Sequence, residues 1–138
     1  MVNFENGVVP INDTNLNKLQ TDLMGVILYE DETGITGTSS ATLNQAITDF
    51  KRAKIVYDAC NNNGVKFTYG NIKEIDLTGN LSDFQVSEVL STQSVYATFS
   101  ISENQLAISR NRKLDNNAAG PEDGNYIYIR KVIGYKEV

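Results

Sequence analysis

One segment constrains the fold more than any other. Ser94-Val95-Tyr96-Ala97-Thr98-Phe99-Ser100-Ile101 alternates apolar and polar residues in strict period two, then meets Glu103-Asn104 and resumes in Gln105-Leu106-Ala107-Ile108-Ser109-Arg110. Period two is the repeat of a strand with one buried face, and the tight break between the runs is a hairpin. Similar short runs fill the chain after Gly25. They are Val26 to Tyr29, Ala41 to Leu43, Ala53 to Asp58, Val65 to Tyr69, Ile72 to Leu77 and Tyr126 to Tyr135. Asn61-Asn62-Asn63-Gly64 is a strong turn between two of them, because Asn and Gly tolerate positive φ. Tyr126-Ile127-Tyr128-Ile129 is apolar on both faces, as a central strand requires. Gln45 to Phe50 fits either a helical turn or a loop, and Gln85 to Leu90 either a strand or a helical turn. Thr33 to Ser40 and Leu114 to Asn125 read as loops, the former with the option of a short edge strand. Many short strands with turns between them predict a mainly β chain, a jelly-roll-like β-sandwich preceded by a short N-terminal helix.

That helix is expected from Asn12 or Asp13, either a good N-cap, to the stop at Gly25. Leu16, Leu19 and Leu23 fall on one stripe. The stripe either docks on the β-domain or seeds a symmetric bundle, where one heptad would need help from the β-domains. The expected division is 1–25 for an extended arm plus oligomerisation helix and 26–138 for the β-sandwich head.

Composition narrows function by exclusion. The 138 residues include no histidine and one cysteine, Cys60. Ser-His-Asp, Cys-His and His-metal chemistry are therefore excluded, as are an internal disulfide and a multi-Cys zinc site. Cys60 reads as a buried, inert thiol. Lys and Arg total 12 against 17 Asp and Glu, for a net charge of −5, which argues against nucleic acid or an anionic membrane as partner. No apolar run approaches the roughly 18 residues of a membrane span. Met1 to Pro10 carries Glu5 and no basic residue, a poor fit to a signal peptide, so synthesis in the cytoplasm is expected.

No phosphate loop, nucleophile elbow or dinucleotide fingerprint occurs. Neither an enzyme nor a cofactor or metal is expected. A cell-wall glycosidase would need two carboxylates at catalytic separation, which sequence alone does not place. Asp115-Asn116-Asn117 with Glu122-Asp123 is oxygen-rich, but its spacing is not that of an EF-hand and a solvated loop is the simpler reading. Tyrosines sit on or beside most strands, and a tyrosine can stack on a sugar face while donating a hydrogen bond. The candidate set is Tyr57, Asp58, Asn62 and Tyr69, all on one hairpin.

Asn6-Gly7-Val8-Val9-Pro10-Ile11-Asn12-Asp13-Thr14-Asn15-Leu16-Asn17-Lys18-Leu19-Gln20 resembles a segment of tail-fibre, baseplate and receptor-binding proteins of phages and prophages of Gram-positive bacteria. So does the closing run Tyr126 to Lys136, and so do Leu28-Tyr29, Thr42-Leu43, Asp49-Phe50-Lys51 and Ile55-Val56-Tyr57 in that order. The resemblance implies a virion protein of the phage tail, made in the bacterial cytoplasm. It implies a homotrimer seamed by Leu16, Leu19 and Leu23, contacts with other tail or baseplate proteins, and a head that binds host cell-wall saccharide. A purely structural tail or baseplate module is the alternative.

Overall fold

Alternation in the sequence becomes alternation in burial. The strand Gln93–Ser102 buries every second residue from Gln93 to Ile101 and turns Ser94, Tyr96, Thr98 and Ser100 outward. The structure, a computed structural model, describes residues 12–14, 16, 25–61, 63–115 and 120–137. Nine strands follow in order: β1 (Val26–Ile35), β2 (Ser40–Thr42), β3 (Arg52–Cys60), β4 (Lys66–Asp76), β5 (Phe84–Leu90), β6 (Gln93–Ser102), β7 (Gln105–Asp115), β8 (Glu122–Asp123) and β9 (Ile127–Tyr135).

They form two antiparallel sheets. The first has the order β1-β9-β3-β4; the second has β2-β7-β6-β5, with β8 pairing β7. This is a β-sandwich arrangement. Its strand order does not reproduce the full double Greek key of a jelly roll, because β3 and β4 are hairpin neighbours and β5, β6 and β7 run as a meander. The closing strand β9 is central, between β1 and β3, as its two apolar faces required.

Several segments differ from the sequence expectation in instructive ways. Val65–Tyr69 and Ile72–Leu77, read separately, are one strand bent at Gly70, whose φ is +61°. Thr33 to Ile35 continue β1 through an irregular stretch rather than forming a loop. Gln85–Leu90 is a strand. The ambiguous Gln45–Phe50 holds a 3-10 turn over Ile47–Asp49, which delivers Ile47 and Phe50 to the core.

Leu28, Ile55, Phe99, Leu106, Ile127, Ile129 and Val132 are fully enclosed between the sheets or nearly so. Each such side chain contributes roughly 2 kcal/mol relative to exposure. Phe50 packs so tightly on Gly134 that a Cβ there would lie 2.7 Å from its ring. Asn111 ties the second sheet to the first. Its Nδ2 donates to the Ile127 carbonyl at 2.9 Å, and its Oδ1 accepts from the Tyr126 and Ile127 N–H groups at 3.1 and 3.0 Å. Thr36 Oγ1 also donates to the Ile127 carbonyl. A buried amide that satisfies its own donor and acceptor fixes the register of everything it touches.

Of the N-terminal helix, only Asp13, Thr14 and Leu16 are described, all helical. The Leu16 N–H donates to the Asn12 carbonyl at 2.9 Å, which puts Asn12 at the cap. Leu16 is 46% exposed. Leu19 and Leu23 lie outside the described residues. Among the described residues, no helix is long and apolar enough to cross a membrane.

Candidate functional site

The β3–β4 hairpin starts from a self-satisfied turn. Asn61 Oδ1 accepts from the N–H groups of Asn63 and Val65 at 2.9 and 3.1 Å. The side chain thereby replaces the backbone partners that the reversing chain lacks. Register then shifts between Tyr57 and Ala59 and again before Cys60, a bulged arrangement that re-aims the side chains around it.

This geometry separates three of the four expected site residues. Tyr57 faces the core, 5% exposed, and its hydroxyl donates to Glu88 Oε1 at 2.8 Å. Burial and then the Glu88 carboxylate push that phenol well above its usual range. Its ring is unavailable to a ligand, which corrects the expectation. Asp58, the next residue, points to the opposite face. It is fully enclosed, accepting from Lys66 Nζ at 2.8 Å, from the Gly70 N–H at 2.8 Å and from Arg130 Nη1 at 3.3 and 3.4 Å. Burial by itself raises the Asp58 pKa, but the Lys66 and Gly70 hydrogen bonds and the two cations outweigh it, so the carboxyl is held below its usual range. Asp58 is an ionised strut, neither a ligand contact nor a general acid. Tyr69 stands 67% exposed. Asn62 lies outside the described residues.

The strut supports the floor of a groove of about 690 Å³ on the outer face of the first sheet. Glu30, Asp31 and Glu32 of β1 line it with Arg130, Lys131 and Ile133 of β9, Val56 of β3 and Gly70 of β4. Two of these, Gly70 and Arg130, are the partners of Asp58. Tyr69, next to Gly70 in the chain, is not among the lining residues. Lys66 Nζ sits 5.1 Å from the Tyr128 ring centre and 6.0 Å from that of Tyr69, so one ammonium links both rings to the carboxylate. Lys131 approaches Glu30 at 3.7 Å. Tyr29, packed against the core, has its phenol pushed up by burial and then by Asp31. The groove offers carboxylates, a guanidinium and an ammonium in one place, which suits orientation of a polar ligand.

A second hollow, of about 730 Å³, lies along Lys51, Arg52, Glu74, Ile75, Asp76 and Thr78. Its chief cation is committed internally. Arg52 stacks 4.0 Å above the Tyr135 ring, bonds Glu74 at 3.1 Å and donates to the Glu137 carbonyl.

The oxygen-rich C-terminal loop is likewise occupied. Asp115 and Glu122 each lie 3.1 Å from the enclosed Lys113 ammonium, and Asp123 lies 2.6 Å from Arg112. Those carboxylates neutralise the protein's own cations. Asn116 and Asn117 lie outside the described residues. Among the described residues, no group of three His, Cys, Asp or Glu could hold a metal ion. Cys60 is buried, and burial pushes its thiol up.

Sequence reasoning singled out Asp58 and Tyr69 and passed over Arg130, Glu30, Asp31 and Glu32. The missed residues come from strands far away in sequence, and no local pattern announces that β9 lies between β1 and β3. Tyr57 and Asp58 were separable in principle, because adjacent strand residues face opposite sides. No protein family, no curated protein and no solved structure matches the chain.

Proposed function

We propose that this chain is a non-catalytic recognition module of a phage or prophage tail, whose β-sandwich head holds a host cell-wall saccharide in the groove above Asp58. The observation that carries the reading is that one ammonium, Lys66 Nζ, lies 6.0 Å from the exposed Tyr69 ring and bonds Asp58, whose other partners Gly70 and Arg130 line a charged groove. A sugar ring stacks on the phenol while its hydroxyls bond to the groove carboxylates and guanidinium. The resemblance of Asn6 to Gln20 and of the closing strand to tail and baseplate proteins supplies the biological setting. In this reading 26–138 is the head, jelly-roll-like in its β1–β9 and β2–β7 pairs, and 1–25 is an arm that gathers three copies through Leu16, Leu19 and Leu23. Threefold display multiplies a weak site into useful avidity. The protein then resides in the virion.

The test is calorimetric titration of the full chain with purified Gram-positive cell-wall polysaccharide. Tyr69→Ala is expected to weaken binding at least about tenfold, the cost of about 1.4 kcal/mol of stacking. Undiminished binding in that variant removes the groove from the reading. Light scattering tests the trimer: a mass of three chains that falls for a Leu16→Asp, Leu19→Asp variant supports it, and a monomer argues against it.

One observation favours a purely structural module. Ile27 pairs with Ile133, and Val56 with Ile72, on the same outer face, and Ile72 is 62% exposed. Such an apolar diagonal suits a neighbouring tail or baseplate subunit. Absence of saccharide binding by the unaltered chain, with capture of a tail protein that Ile72→Asp abolishes, would decide for this second reading.

A further inference from the structure

The outer face of the second sheet is built from different chemistry. Its outward positions on β5 and β6 are Gln85, Ser87, Val89, Ser94, Tyr96, Thr98 and Ser100, hydroxyl and amide groups for the most part. None of these is a carboxylate. Glu88, the acidic residue of β5, turns inward to Tyr57. Two cations on β7 border this neutral surface. Arg110 pairs across the sheet with Thr98, and Arg112 with Tyr96; Gln85 and Ser87 extend the same two rows on β5.

The two arginines are not equivalent. Arg112 is held by Asp123 at 2.6 Å, with the Tyr96 hydroxyl as a further hydrogen-bonding neighbour. Arg110 is exposed, and no described residue pairs with it. Asp123 offsets the charge of Arg112, so Arg110, which has no partner among the described residues, leaves a local positive charge beside it in a chain of net charge −5. Guanidinium matches carboxylate and phosphate oxygens in a two-pronged contact. The surrounding hydroxyls and amides exchange hydrogen bonds with a hydroxylated chain. The half-buried Tyr96 ring, across the sheet from Arg112, adds an apolar surface.

We propose that Arg110, Arg112 and Tyr96, with Gln85, Ser87 and Thr98 around them, form a second binding face that takes an acidic saccharide, with Arg110 grasping its carboxylate or phosphate. Arg112, pre-set by Asp123, orients the contact, and Arg110 supplies the free charge. The face lies on the opposite sheet from the groove, so either can fail without the other.

The experiment is a nuclear magnetic resonance titration of the 15N-labelled full chain. Three probes are used: an oligogalacturonate for carboxylate, inorganic phosphate, and the neutral maltohexaose. Amide shifts are expected at Gln85, Ser87, Tyr96, Thr98, Arg110 and Arg112 with an acidic probe and not with maltohexaose. Response to oligogalacturonate assigns carboxylate; response to phosphate alone assigns phosphate. Arg110→Gln is expected to weaken binding about tenfold and Arg110→Lys about threefold, because lysine keeps the charge and loses the fork. Raising the salt from about 0.15 to about 0.5 M weakens binding further. Arg110 is exposed and unpaired, so the variant's remaining amide spectrum stays unchanged. Glu32→Gln, in the groove, leaves these shifts unaltered. No shift with either acidic probe at millimolar concentration, equal shifts with maltohexaose, or full affinity in Arg110→Gln overturns the proposal.

Discussion

Two enclosed polar side chains hold this molecule together, and they do so differently. Asn111 is neutral and sits where the two sheets meet, satisfying backbone groups of Tyr126 and Ile127. Asp58 is charged and sits on the outer side of one sheet, between Lys66, Arg130 and the Gly70 N–H. The amide binds backbone, so it fixes strand register. The carboxylate binds side chains from β4 and β9, so it fixes the shape of a surface. A neutral network costs little to bury once every group is paired, whereas a buried charge is tolerated only with counter-charges and water nearby. Lys66 and Arg130 have that access, with side chains 25% and 34% exposed. The position of each hub therefore matches its chemistry: the neutral one anchors the fold and the ionic one anchors the candidate site.

Substitutions test this division. Asn111→Ala has the largest expected effect, a loss of about 4 kcal/mol by urea denaturation, since it strands the enclosed Tyr126 and Ile127 N–H groups together. A loss under about 1 kcal/mol would show that water replaces the amide. Asp58→Asn is expected to cost less, about 2 kcal/mol, because its two cations relax towards solvent.

The pH dependence of this second variant sharpens the contrast. The Asp58 pKa is lower in the folded state than in the unfolded chain. Its ionic stabilisation is thus complete above the ordinary carboxylate range and is lost as pH falls through the depressed folded value. The stability gap between the unaltered protein and Asp58→Asn should be constant near neutrality and close in acid. A gap that stays open at low pH contradicts the ionic account. The gap for Asn111→Ala should not follow this titration.

Tyr57→Phe removes one hydroxyl from Glu88 and is expected to cost about 1 kcal/mol, with no change in saccharide binding. Tyr69→Ala should be the mirror image. Its stability should stay within about 0.5 kcal/mol of the parent while saccharide binding falls. If the two tyrosines exchange these behaviours, the assignment of Tyr57 to the core and Tyr69 to the site is reversed.

Much of the sandwich was legible because its causes are local. The Ser94 to Ile101 alternation, the Asn61 to Gly64 turn and the doubly apolar start of the last strand each report on neighbours within a few residues. The joining of Val65–Tyr69 to Ile72–Leu77 was not legible. It depends on Gly70 adopting a positive φ while its N–H binds Asp58 twelve residues earlier. The site was legible only in part for the same reason. Tyr69 announces itself as a tyrosine beside a turn, but Arg130 meets Asp58 across 72 residues of sequence.

The sequence by itself determined the strand periodicity, the exclusion of histidine and disulfide chemistry, and the acidic balance, since these are properties of composition and near neighbours. Tertiary structure alone decided that β9 lies between β1 and β3, that Tyr57 and Asp58 serve opposite faces of one sheet, and that Arg110, on the other, has no partner among the described residues. Those outcomes rest on which strands lie side by side. Strand order is set by the burial of the whole apolar surface at once, and no short stretch of the chain encodes it.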